Sequence, residues 1–207
     1  MTKHSSLKEN KLPLMEAFYT IQGEGYHSGS PAYFLRIGGC DVGCHWCDVK
    51  ESWDAEIHPM TSIYDILQGI RQFPVKTVVI TGGEPLMWDL SLLTYELKKL
   101  NMSIHLETSG AYKLTGDFDW VCLSPKKNQP PLNSVKKIAD ELKIIVHNKH
   151  DITWAQNQLK NIKSKCKLYF QPEWSVKEKI LPTIIDYVQF NQQWNISLQS
   201  HKYMNLP

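Results

Sequence analysis

Five times in this chain a short apolar run ends in a compact polar motif, and that repeated junction limits the possible folds more than any other feature. AYFLRIGG (32–39) runs into the cysteine loop GGCDVGCHWCDVK, KTVVI (76–80) into TGGEP, SIHLET (103–108) into ETSG, WVCLS (120–124) into SPK, and LYFQ (168–171) into QPEW. Runs of this length and composition read as strands. Further strands are expected at 142–146 and 195–203. Between them lie helical patterns at 61–73, 87–100, 151–162 and 176–191. In the first, Ile63, Ile66, Leu67 and Ile70 share one face behind Thr61 or Ser62 as a cap, and Asp151 is placed to cap the third. Alternation of this kind predicts an α/β fold of parallel β/α units. Six to seven mainly parallel strands are too few for a complete eight-stranded barrel. The C-terminal strand ends of such folds share the face where ligands bind, so the five motifs are expected to build one site. Residues 1–207 are expected to form a single domain.

The cysteines narrow the chemistry. Cys40, Cys44 and Cys47 have the spacing C-x3-C-x2-C, three of the five cysteines in the chain. The opening residues MTKHSSLKEN carry no apolar core behind their charges, so no signal peptide is expected. No apolar run approaches the ~20 residues needed to cross a bilayer. A cytoplasmic setting is therefore expected, in which thiols stay reduced and clustered cysteines point to metal or redox chemistry. Cys122 and Cys166 stand alone and read as small core residues. A net charge of +2, with no long run of one sign, gives no footprint for nucleic acid.

Thiolates select zinc or iron–sulfur clusters. A structural zinc takes four protein ligands, commonly from two separated pairs. No second pair exists here, and His45, which could complete a Cys3His set on paper, lies inside the loop itself. A 4Fe–4S cube held by three cysteines leaves one iron open to an exogenous chelator, which is the arrangement needed to bind S-adenosylmethionine and cleave it reductively.

C-x3-C-x-aromatic-C, with Trp46 before the last cysteine, resembles the signature of the radical SAM superfamily, and TGGEP (81–85) resembles its second motif. EAFYTIQGEGYHSGSPAYFLRIGGCDVGCHWCD (16–48) is similar to the 7-carboxy-7-deazaguanine synthase family. The likeness extends through ETSG, SPK, ELKIIV (141–146), QPEW and the closing LQSHKYMNLP (198–207). It implies an incomplete, modified β/α barrel of the radical SAM type. The implied reaction contracts 6-carboxy-5,6,7,8-tetrahydropterin to 7-carboxy-7-deazaguanine and ammonia, in queuosine and 7-deazapurine biosynthesis. The implied cofactors are a 4Fe–4S cluster, S-adenosylmethionine used catalytically and Mg²⁺. A homodimer and an electron donor such as flavodoxin or ferredoxin are implied as partners.

Carried over residue by residue, the resemblance gives Cys40, Cys44 and Cys47 to the cluster. Trp46, Cys47, Asp48, Gly83, Glu107, Ser124, Pro125, Lys126, Gln171, Pro172, Glu173 and Trp174 go to S-adenosylmethionine. Ile21, Gln22, Gly23, Arg36, Thr81 and Pro207 go to the substrate, with Pro207 expected to be ordered. No side chain is assigned a catalytic role, because the deoxyadenosyl radical carries the chemistry. Gln22 and Glu24 could be turn residues between glycines, but the resemblance favours IQGEG as a substrate loop; Glu107 also reads as a capping carboxylate, and Lys143 and His201 as surface or structural residues. The family commonly has threonine after CD to help ligate Mg²⁺, whereas this chain has Val49, without a side-chain oxygen. Two other readings remain open on the residues alone: another small radical SAM enzyme, such as a glycyl-radical-enzyme activase, and a non-catalytic zinc-binding module.

Overall fold

In the computed structural model residues 3–207 are described, with side chains described from Ser6 onward, so the first two residues of the polar opening lie outside the described residues. The strands are β1 (Lys11–Ile21), β2 (Pro31–Ile37), β3 (Met60–Ser62), β4 (Thr77–Gly82), β5 (Ser103–Thr108), β6 (Trp120–Leu123), β7 (Glu141–Val146), β8 (Lys167–Pro172) and β9 (Trp194–Ile196). They form one sheet in the order β3-β1-β2-β4-β5-β6-β7-β8-β9. From β2 to β9 every pairing is parallel, seven strands in all. β1 and β3 add an antiparallel edge, and the sheet does not close.

The helices are α1 (Lys3–Glu9), α2 (Ile63–Ile70), α3 (Ser91–Lys99), α4 (Asn133–Ile138), α5 (Lys149–Gln158), α6 (Lys177–Phe190) and α7 (Ser200–Tyr203). Ser62 caps α2 by accepting from the Asp65 amide, and Ile63, Ile66, Leu67 and Ile70 are its buried stripe, as the periodicity predicts. α5 starts earlier than expected. Asn148 is its cap, and Asp151 closes a capping box from the third position instead. The last strand is three residues long, because the chain turns at Ser197 and residues 200–203 become helical. β1 escapes sequence reading because Pro13 and a register shift between Leu14 and Glu16 blur its alternation.

Period-2 alternation divides the sheet into two chemically different faces. Val78, Ile80, Ile104, Leu106, Leu123, Leu142 and Ile144 belong to one large apolar core, together with α2 and α3 residues such as Ile66 and Leu93. The neighbouring positions Thr81, Glu107, Lys143 and Gln171 instead line cavities. Among the described residues, Ala32, Phe34 and Val79, with Phe18 against them, make a small separate apolar cluster. Polar side chains thus project from consecutive strands at their C-terminal ends. No helix among the described residues is long and apolar enough to cross a membrane.

Candidate active site

The cysteine loop leaves β2 at Ile37 and folds back on itself. The Gly39 amide donates to the Ser52 carbonyl at 2.7 Å and the Cys40 amide to the Trp53 carbonyl at 3.0 Å. From outside, Asn128 Nδ2 donates to the Gly43 carbonyl at 2.8 Å, and the Tyr112 hydroxyl donates to Asp41. TGGEP then packs directly under this loop. The Glu84 amide donates to the Gly39 carbonyl at 2.8 Å, and a Cβ on Gly83 would lie 2.2 Å from that oxygen. The glycine is needed because backbone meets backbone there. Glu84 is almost wholly buried, and its carboxylate accepts from Thr108 Oγ1 at 2.6 Å and from the Ser109 amide at 2.8 Å. TGGEP is therefore tied to ETSG at the end of β5.

Cys40, Cys44 and Cys47 line one cavity of about 210 Å³, whose other walls come from the remaining strand-end motifs. Trp46, Asp48, Gly83, Glu107, Ser124, Lys126, Gln171, Pro172, Glu173 and Trp174 all lie on it. Pro125 does not. It lines a smaller pocket on the far side of Cys44, together with His45. Burial pushes the Cys40 and Cys44 thiols up, and the charges of neighbouring thiols add to this. Lys126 opposes that rise at Cys44; its ammonium donates to the Ser124 carbonyl and hydroxyl and lies 5.7 Å from the Trp46 ring centroid. Three soft donors on one wall beside a half-buried cation suit an anionic iron–sulfur cluster. Among the described residues no group of three His, Cys, Asp or Glu is gathered to hold a single metal ion, and His45 points to the outer pocket.

A second cavity, of about 500 Å³, opens beside the first between β1–β2 and the chain's last residues. Ile21, Gln22, Gly23, Arg36, Thr81 and Pro207 all line it, as do His201 and Lys202. Glu24, Asp48, Val49, Thr81, Glu107, Trp174 and Gln199 line both cavities. Gly23 is again a close-approach glycine, since a Cβ there would fall 2.1 Å from Nδ1 of His201. Arg36 lies opposite Glu16 in the β1–β2 register, and its Nε donates to that carboxylate at 2.5 Å. Arg36 is therefore both ion-paired and part of the cavity wall.

Beneath the shared wall lies a buried charge cluster that sequence reading undervalued. Lys143 is 4% exposed, pairs with Glu24 and sits 3.8 Å from Glu107. Burial alone would push its ammonium down, but Glu107 and Glu24 hold it well above the ordinary lysine range. For Glu24 burial works upward, yet Lys143 and the hydrogen bonds of Gln199 and Gln171 bring the carboxyl down to about 2. Gln22 Nε2 donates to Glu107 at 3.0 Å, and its Oε1 accepts from the Glu24 amide at 3.0 Å. Glu107 is thus no helix cap but part of a pinned polar floor. Asp48 and Lys202 pair across the mouth, a contact with no sequence signal because the partners are 154 residues apart.

Comparison with known proteins agrees with this arrangement. The Radical SAM superfamily pattern matches residues 35–115, from β2 through the cysteine loop to beyond ETSG. The 7-carboxy-7-deazaguanine synthase of Flavobacterium psychrophilum is 56% identical over 97% of this chain and 95% of its own length. The enzyme of the same name from Synechocystis sp. is 43% identical over 98% of this chain and 97% of its own. A crystal structure of QueE from Escherichia coli superimposes with a TM-score of 0.84 at 30% identity, covering 97% of this chain and 99% of that one. With relatives this similar along nearly their whole length, the chain belongs to the 7-carboxy-7-deazaguanine synthase family of radical SAM enzymes.

Proposed function

We propose that this chain contracts the ring of 6-carboxy-5,6,7,8-tetrahydropterin to give 7-carboxy-7-deazaguanine and ammonia, with residues 1–207 acting as one radical SAM domain. The observation that carries the reading is the pair of cavities sharing a wall. Apart from Pro125, the residues expected for cluster and S-adenosylmethionine line one, and the six expected for substrate line the other. When bound, the 4Fe–4S cluster and S-adenosylmethionine supply a deoxyadenosyl radical. Cys40, Cys44 and Cys47 would hold the cluster, while Trp46, Asp48, Ser124, Lys126 and the QPEW turn would hold the nucleoside and methionine portions.

The chain's own part is binding, orientation and exclusion of water. Arg36 keeps N–H donors beyond the one given to Glu16, a planar fork suited to a carboxylate. Phe18 and Phe34, stacked with centroids 5.6 Å apart, offer an apolar wall to a flat bicyclic ring. Glu24 stays ionised beside Lys143, and Glu24 and Glu107 fix the floor through their contacts with Lys143, Gln199 and Gln22.

The Mg²⁺ implied by the resemblance does not fit the residues present. Val49 offers no oxygen, and the Asp48 carboxylate already accepts from Gln199 at 3.0 Å and from Lys202. A cytoplasmic setting, a homodimer and a low-potential protein electron donor complete the proposal. Anaerobic turnover of reconstituted protein with reductant, S-adenosylmethionine and the pterin, followed by mass spectrometry, tests it. Carboxydeazaguanine in excess of 5′-deoxyadenosine is expected. Cofactor cleavage without that product rejects the pterin as substrate.

A further inference from the structure

The misfit at the Mg²⁺ position leaves a substrate carboxylate in need of another cation. We propose that Lys202 supplies that charge in place of a divalent metal, so that turnover is independent of Mg²⁺. The proposal rests on the pterin reading above.

Three observations carry it. First, Lys202 is held at the border of the two cavities. Its Nζ lies 2.5 Å from Asp48 Oδ2, directly after the last cluster cysteine, and 4.8 Å from the Trp174 ring centroid. Its side chain is 23% exposed, less than that of its partner Asp48 at 41%. Second, the helix that carries it is anchored. The Ser200 amide and hydroxyl both donate to the Gly23 carbonyl, at 2.9 Å each. The ammonium is therefore positioned by the same Gln22–Glu24 turn that lines the substrate cavity. Third, the neighbouring Val49 lines both cavities without a side-chain oxygen, and Asp48 Oδ2 already holds both Lys202 and Gln199.

An ammonium has three N–H donors, and Asp48 takes one. A carboxylate entering between Lys202 and Arg36, both on the wall of the same cavity, meets two fixed cations without displacing a hydration shell. Mg²⁺ would have to give up tightly held water and compete with a tethered amine for Asp48.

The test uses the full chain with its cluster reconstituted under anaerobic conditions, assayed with the pterin in excess EDTA and in millimolar MgCl₂. Wild-type rates within about twofold of each other are expected, the limit of a negligible binding linkage. Lys202→Met should lose roughly tenfold to a hundredfold in kcat/KM in EDTA, chiefly through KM, as expected for a lost charge-assisted hydrogen bond. Lys202→Arg should retain most of the activity. A readout independent of turnover is electron paramagnetic resonance with Mn²⁺ as the probe, with and without pterin; no stoichiometric bound Mn²⁺ is expected. Loss of wild-type turnover in EDTA, one tightly bound Mn²⁺ per chain, or a Lys202→Met variant equal to wild type in EDTA overturns the proposal. Cofactor cleavage without carboxydeazaguanine under every condition refutes the pterin reading and the charge proposal falls with it, whereas product formed only with Mg²⁺ overturns the charge proposal alone.

Discussion

Replacing Lys143 with methionine keeps the length of the side chain and removes its charge, which leaves Glu24 and Glu107 facing each other without their shared cation. Lys143 is 4% exposed and Glu24 16%, so little water is at hand to take the ammonium's place. Breaking a buried pair by removing one partner costs about 3–5 kcal/mol. With an unfolding entropy of about 2.1 cal/mol/K per residue, a chain of this length should lose roughly 7–11 °C in Tm. The pH dependence adds a second signature. In the wild type the folded Glu24 carboxyl sits at about 2 against 4.5 unfolded, so its stabilisation is complete above pH 4.5 and is lost as pH falls toward 2. Without Lys143, burial dominates and raises the Glu24 carboxyl above its ordinary value. Acid then relieves the variant before it harms the wild type, and the gap in Tm should narrow from pH 7 to pH 5. Calorimetry of cluster-free protein measures both quantities without cofactor linkage. Adding Glu24→Gln to Lys143→Met should recover part of the loss. A drop of less than about 2 °C at pH 7, below 1 kcal/mol, or a gap that widens on acidification, refutes the reasoning.

Gly83→Ala should cost about 1–3 kcal/mol and lower the iron content after reconstitution, because the new Cβ meets the Gly39 carbonyl next to Cys40; full iron loading of this variant counts against the close-approach argument. In cluster-free protein at mildly alkaline pH, iodoacetamide should label Cys40, Cys44 and Cys47 ahead of the buried pair. Burial pushes Cys166 up to about 12 and Cys122 well above its ordinary range, and peptide mapping by mass spectrometry reads the order. His105 is 9% exposed, and burial, reinforced by His27, lowers it to about 4 from 6.5. It is therefore neutral in the fold, and its contribution is present above pH 6.5 and is lost as pH falls from 6.5 to 4, by up to about 3 kcal/mol. His105→Gln should flatten the stability profile in that window, as followed by urea unfolding.

The strand-end motifs were legible because each joins a strongly apolar run to residues with distinctive chemistry. Their meeting on one cavity follows from parallel topology, and seven strands do run parallel. Two strands were missed. β3 is only three residues long, and in β1 Pro13 and a register shift break the period. The polar floor was partly readable. In SIHLET and ELKIIV the alternation sends Ile104, Leu106, Leu142 and Ile144 to the core, which turns Glu107 and Lys143 to the other face. Read alone, Lys143 looked like a surface lysine, since only the neighbouring strands supply its carboxylates. The second cavity could not be read from local pattern at all. It forms where residues 21–24 meet residues 199–207, and no local pattern records that meeting.

That meeting also bears on how the molecule folds. The Gly25 amide reaches Ser197 Oγ across 172 residues and Ser200 Oγ reaches the Gly23 carbonyl across 177, while the parallel strands pair stepwise with their neighbours. Contacts of such separation carry the largest loop-closure entropy and form after the shorter-range ones have condensed. The wall of the second cavity is thus the last part of the molecule to assemble and among the first to open. Amide hydrogen exchange at Gly25 and Ser200 should report a local opening well below global unfolding, while amides in β4 and β5 exchange only with the whole fold.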